Sequence, residues 1–187
     1  MPRLLLALAA FVSLIVAPAL VAPAAAQALD PENTIYLDTK DGRVTIRLRP
    51  DLAPMHVEQI KKLTRAGFYD GVVFHRVIEG FMAQTGDPTG TGTGRSNLPD
   101  LPAEFSNAPF KRGTVGMARA QDPNSANSQF FICFDDASFL NGQYTVFGEV
   151  VSGMEVVDKI KKGNPARNGM VDNPDKIVRM QVAADAR

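Results

Sequence analysis

Phe74-His75-Arg76-Val77-Ile78-Glu79-Gly80-Phe81-Met82-Ala83-Gln84-Thr85-Gly86-Asp87 is the stretch whose reading decides the fold. It reads as two short strands joined at Glu79-Gly80, the point where an apolar run can turn. Strand alternation puts Phe74, Arg76 and Ile78 on one face, and Met82 with Gln84 on one face of the second strand. An arginine among apolar neighbours is costly to bury unless its charge finds partners. Gln84, one strand away, has an amide oxygen that can hold the guanidinium. The competing reading is that Arg76 lays its stem over the sheet and keeps its head in water. The pattern does not choose between the two.

Upstream, Thr34-Ile35-Tyr36-Leu37 and Arg43 to Leu48 alternate around Lys40-Asp41-Gly42, which predicts a β-hairpin. Arg49-Pro50-Asp51 breaks that pattern, and a helix is expected from about Pro54. Val57, Ile60 and Leu63 share one face, Lys61 and Lys62 turn outward, and Gly67 is placed to stop it. His56 is read as a solvated residue of the first turn, and His75 as packed in the sheet. Two scattered histidines give no metal argument. Further back, Arg3 is the only charge before Asp30, and an apolar stretch runs from Leu4 to about Val21. Ala24-Ala25-Ala26 then offers a small-residue cleavage site, with Ala26-Gln27-Ala28 as an alternative. An uncleaved anchor is the competing reading; Pro18, Pro23 and the alanine-rich end favour cleavage. The expectation is a signal peptide over 1–26, a short extension over 27–33 and one domain over 34–187. The expected address is a bacterial periplasm, with no stable membrane association after processing.

Downstream, Gly90-Thr91-Gly92-Thr93-Gly94 lacks the Gly-Lys-Ser/Thr ending of a phosphate-binding loop and is read as a flexible loop. Prolines keep 97–102 irregular. Strands are expected at Thr114–Ala118, Gln129–Cys133, Phe147–Val151 and Ile177–Val182, and a second helix over about Met154 to Lys162, ended by Gly163. Parity puts Gln129 with Phe131 on one face and Phe130 with Ile132 on the other. Many short strands with two helices predict a β-barrel with helices at its ends.

Composition bounds the function. An apolar fraction of 45% and a charged fraction of 21% suit one soluble domain. Zero net charge gives no footprint for nucleic acid. The single cysteine, Cys133, excludes an intramolecular disulfide, and its apolar neighbours mark it as core. No nucleophile elbow, supported Cys/His pair or zinc spacing is visible. The chain therefore shows no apparatus for hydrolysis or group transfer.

Phe74-His75-Arg76-Val77-Ile78 followed by Gly80-Phe81-Met82-Ala83-Gln84-Thr85-Gly86-Asp87 resembles the signature of the cyclophilins, the peptidyl-prolyl cis-trans isomerases. Ser128-Gln129-Phe130-Phe131-Ile132 and Val146-Phe147-Gly148-Glu149-Val150 supply second and third blocks, and the likeness runs from about Thr34 to Val182. The resemblance implies a closed eight-stranded antiparallel β-barrel capped by two α-helices. It implies proline-containing segments of folding proteins as partners and no cofactor, while the sequence itself gives no metal site and no interface signature, so a monomer is the default. The resemblance assigns Arg76 to the proline nitrogen and Gln84 to steadying Arg76. Phe81, Met82, Phe131 and Leu140 would form the pocket for the proline ring. Gln129 with Ala118-Arg119-Ala120 would hold the substrate backbone, and Gly92 would border the groove. A groove that binds such segments without turning them over would use the same pocket.

Departures from the family pattern are visible too. Phe139 stands where tryptophan is common, which removes an N–H donor, so weakened binding of cyclosporin-class inhibitors is expected. Tyr144 stands in place of a pocket histidine and Arg119 in place of an asparagine. The glycine loop ends in Arg95 rather than another glycine.

Overall fold

The computed structural model describes residues 28–186, so the expected leader lies outside the described residues. Strands β1 (Thr34–Thr39) and β2 (Gly42–Leu48) form the expected hairpin, with Thr39 opposite Gly42. Ile35, Leu37, Val44, Ile46 and Leu48 point inward, as their alternation predicts. Helix α1 (Pro54–Arg65) buries Val57, Ile60 and Leu63 against them, and Gly67 follows in the left-handed conformation.

The remaining strands are β3 (Arg76–Ile78), β4 (Met82–Thr85), β5 (Thr114–Met117), β6 (Phe130–Cys133), β7 (Val146–Ser152) and β8 (Arg179–Val182). All pair antiparallel in one sheet of order β3-β4-β6-β5-β7-β2-β1-β8. The expected closed barrel is corrected here: the sheet curls but stays open, with β3 and β8 as its edges. Beside β3 lies irregular chain rather than a strand: Asn168 and Gly169 are left-handed there, as is Asn173 further on, and Pro174 lacks an N–H. Scattered backbone bonds cover the edge instead: Val77 N to Gly169 O, Val171 N to His75 O, Phe74 N to Asp175 O and Ile177 N to Val72 O.

Three further expectations change. The second helix, α2 (Met154–Val157), is one turn long. It stops because the Lys161 N–H bonds Asp175 and the Gly163 N–H bonds the Val77 carbonyl, which draws the chain off to the sheet edge. His56 is fully buried rather than solvated, its Nδ1 2.6 Å from Oε2 of Glu104. That carboxylate also accepts from the N–H groups of Met55 and His56, capping a helix whose own N-cap, Ala53, has no side-chain acceptor. Lys61 is buried as well, held between Glu32 and Glu58, so only Lys62 faces water.

The sheet separates two apolar clusters. Val77, Ala83, Phe130, Ile132, Val115 and Phe147 join the main core beneath α1. Met82, Phe131, Cys133, Val146, Phe110 and Leu140 form a second cluster on the opposite face. Phe74 belongs to the main core, not to the Arg76 face: it precedes β3, and the irregular backbone there breaks the alternation.

Candidate active site

Sheet register assembles the site. Arg76 on β3 lies opposite Gln84 on β4, Gln84 opposite Phe131 on β6, and Phe131 opposite Gly116 on β5. Residues directly opposite one another share a face, so this row gathers on the side of the second cluster. The tight turn after Ile78, with Gly80 at φ 71°, permits the Arg76–Gln84 pairing. Both parity pairs read from the sequence, Met82 with Gln84 and Gln129 with Phe131, converge here.

Arg76 does not simply extend into water. Its Nη1 donates to Gln84 Oε1 at 3.1 Å, its Nε to the Asn168 carbonyl at 3.0 Å and its Nη2 to Asn168 Oδ1 at 3.0 Å. All three acceptors are neutral, and Arg76 makes no ion pair among the described residues. Partial burial lowers its pKa, but a guanidinium stays protonated. Two of its five N–H groups have no acceptor among the described residues. Asn168 carries no signal in the sequence beyond the Asn-Gly turn pattern of Asn168-Gly169. That pattern accounts for its left-handed φ of 52° but not for its reach to an arginine 92 positions away.

A relay continues from Gln84. Its Nε2 donates to Gln129 Oε1 at 2.9 Å, and Gln129 Nε2 donates to the carbonyls of Gly92 and Gly94. The glycine loop that receives these bonds is tied down rather than loose. The buried carboxylate of Asp87 accepts from the N–H groups of Thr89, Thr91, Gly92 and Gly94 and from the Thr89 hydroxyl. Burial pushes this carboxyl up, but the converging donors outweigh it and hold the pKa at about 2. Gly94 admits the contact because a Cβ there would overlap Asp87 Oδ1. His75 packs under the loop, as expected of a buried residue, with a Gly92 Cβ position 3.6 Å from its ring.

Two cavities adjoin this row. One, about 250 Å³, is lined by Arg76, Phe81, Met82, Phe131, Leu140 and Tyr144, among others. Phe131 forms its floor, backed by the stacked ring of Phe110 at 5.7 Å and flanked edge-on by Tyr144 at 6.1 Å. Phe139 stands at its rim, 63% exposed, its ring 5.2 Å from that of Phe81. The second cavity, about 430 Å³, is lined by Gly92, Gly94, Ala120 and Gln129, and shares Gln84, Ala118 and Arg119 with the first. Every residue that the family resemblance assigns to the groove thus lines at least one of these two cavities. Cys133 lies in the apolar cluster below, where burial pushes its thiol up to about 12 and keeps it protonated. No cluster of metal-ligating side chains occurs among the described residues.

Known proteins resemble this chain in sequence and fold. The family described as cyclophilin type peptidyl-prolyl cis-trans isomerase/CLD matches residues 34–182. A probable peptidyl-prolyl cis-trans isomerase of Brucella suis is 62% identical, covering 99% of this chain and 98% of its own. A peptidyl-prolyl cis-trans isomerase of Synechococcus elongatus is 39% identical, covering 80% of this chain and 96% of its own. Among solved structures, a cyclophilin from Hirschia baltica superposes with a TM-score of 0.77 at 29% identity, covering 86% of this chain and 77% of its own. A cyclophilin-type isomerase of Cryptosporidium parvum, crystallised in the presence of the dipeptide Ala-Pro, gives 0.73 at 27% identity over 80% of this chain and 98% of its own. With the signature blocks, the sheet order and these relatives in agreement, the chain belongs to the cyclophilin-type peptidyl-prolyl cis-trans isomerases.

Proposed function

We propose that this isomerase accelerates X-Pro rotation in exported proteins, with Arg76 stabilising the twisted amide. The observation that carries this reading is a guanidinium anchored by neutral oxygens alone at the mouth of an apolar pocket. Amide rotation costs about 18–20 kcal/mol because twisting destroys conjugation, and X-Pro bonds interconvert over tens to hundreds of seconds. In the planar amide the proline nitrogen lone pair is delocalised and a poor acceptor. Halfway through the rotation it is localised and basic. A donor aimed at that nitrogen binds the twisted form better than either planar isomer, which is the requirement for catalysis.

Each part then has a role. The ring is held by Phe81, Met82, Phe131 and Leu140, so that rotation occurs on the acyl side of the bond. Gln84 and Asn168 fix the direction of the guanidinium without neutralising it; a carboxylate in their place would compete for the same N–H groups. Gln129, Ala118 and Ala120 offer polar and backbone groups to the flanking segment. Nothing in this scheme breaks a bond or moves a proton.

Losing a well-placed transition-state donor costs about 2.7–4 kcal/mol in other enzymes. Arg76→Ala is therefore expected to lower kcat/KM about 100- to 1,000-fold in a proline-peptide isomerisation assay. Activity within a factor of about three of wild type would refute the assignment. The exported setting rests on the charge-poor apolar leader of residues 4–21 and the alanines that follow. Mass measurement of the mature N-terminus is expected to show cleavage near Ala26, and an intact Met1 in the cell envelope would count against export by a cleaved leader.

A further inference from the structure

We infer that Arg119 makes the larger cavity selective for proline segments with acidic side chains ahead of the proline. The inference rests on the functional reading above, which places the ring in the apolar pocket with its nitrogen toward Arg76. The residue preceding proline is bonded to that nitrogen. Gln84, which touches Arg76, also lines the larger cavity, so the chain ahead of the proline leads into it.

Arg119 sits where the two cavities meet and lines both. Its guanidinium lies 4.5 Å over the Tyr144 ring, and four bonds to the carbonyls of Ala120, Gln121 and Gln143 hold it there. Carbonyl oxygens orient a cation without cancelling its charge, and among the described residues Arg119 has no carboxylate partner. Tyr144 likewise orients and does not neutralise it. One of its five N–H groups is left unused.

No carboxylate in the cavity walls meets that charge. No Asp or Glu lines either cavity, whereas Arg76, Arg95 and Arg119 all do. The nearby acids make their contacts away from Arg119, and only Asp100 is paired with a cation. Asp100 pairs with Arg95 at 2.7 Å, Asp87 is buried on the loop amides, and Asp122 accepts from the Asn124 N–H of its own turn. The charged side chains that line the two cavities are thus all arginines, and of these Arg95 is already paired. A half-enclosed site strengthens the attraction beyond its value in open water. With one N–H available and no bidentate fork, the selectivity is expected to be modest.

The test uses acetyl-capped pentapeptides Xaa-Xaa-Ala-Pro-Phe, Xaa being Glu, Gln or Lys, with isomerisation followed by NMR exchange on the wild-type protein. At low salt the Glu peptide is expected to exceed the Gln peptide by about threefold to tenfold in kcat/KM, with the Lys peptide lowest. The gap should close at ~0.5 M NaCl, where exposed charges are screened. Arg119→Gln should bring the Glu and Gln peptides within about twofold of each other, and Arg119→Glu should reverse the order. Equal turnover of the Glu and Gln peptides by wild type would overturn the selectivity while leaving the isomerase reading intact. Failure to turn over any of the three would instead overturn the reading beneath it. The wild-type comparison stands even if a variant fails to fold.

Discussion

Asn168 holds the Arg76 guanidinium from two directions, through its carbonyl and its side-chain oxygen, in a backbone conformation few residues adopt. Glycine tolerates the same φ, so Asn168→Gly removes the side-chain bond and leaves the backbone bond in place. One hydrogen bond is worth about 1 kcal/mol, so kcat/KM is expected to fall about threefold to tenfold with little change in Tm. A variant as active as wild type would show that Gln84 and the Asn168 carbonyl suffice to aim the arginine. A carboxylate at this position should be worse than none, because it would pair with N–H groups the substrate needs. Asn168→Asp is expected to lose more activity than Asn168→Gly in the same assay, while thermal stability stays level or rises.

At the scale of elements, the pocket floor depends on strand β5 carrying no side chain at Gly116. A Cβ there would come within 2.5 Å of Phe110 and 2.8 Å of Phe131. The stacked pair has no slack, since Phe110 is wholly buried and Phe131 nearly so. Gly116→Ala is expected to destabilise the fold by about 1–3 kcal/mol, the usual cost of overpacking. It should also raise KM if Phe131 yields toward the cavity proposed to hold the proline ring. Urea unfolding and steady-state kinetics on one preparation would show both effects. Unchanged stability would mean that the backbone of β5 shifts more easily than its pairing with β6 and β7 suggests. Helix α1 makes a related point. Its apolar face is legible as Val57, Ile60 and Leu63, but the carboxylate capping its first turn comes from Glu104, 48 positions from His56. No local pattern could have marked Glu104 as that cap.

For the whole molecule, both histidines of the chain are buried, and burial lowers both pKa values. The Glu104 contact opposes this at His56, and the charge of Asp87 opposes it at His75, without reversing it. Unfolding releases each histidine to its ordinary value near 6.5. Below that value, down to the folded pKa, the unfolded chain binds more protons than the native one. Their contribution is therefore fully present above about pH 6.5 and is lost as the pH falls through the window beneath it. Denaturation midpoints are expected to be lower near pH 5 than near pH 7.5, and a flat or inverted profile would contradict the buried placement. Asp87 titrates near 2 and leaves that window undisturbed.

Much of this architecture is legible in the chain because its causes are local. Alternation in β1 and β2, the glycine after Glu79 and the parity of Gln84 and Phe131 each follow from backbone geometry over a few residues. The sequence by itself therefore determined the two hairpins and the shared faces of Met82 with Gln84 and of Gln129 with Phe131, but left open whether Arg76 turns to Gln84 or to water. It could not determine that β3 and β8 stay apart, that α2 ends after one turn, or that His56 is sealed under Glu104. Only the tertiary structure decided these, together with Asn168 as the anchor of Arg76. Each depends on hydrogen-bond partners far off along the chain, and an unsatisfied backbone or charged group takes whichever partner folding brings within reach.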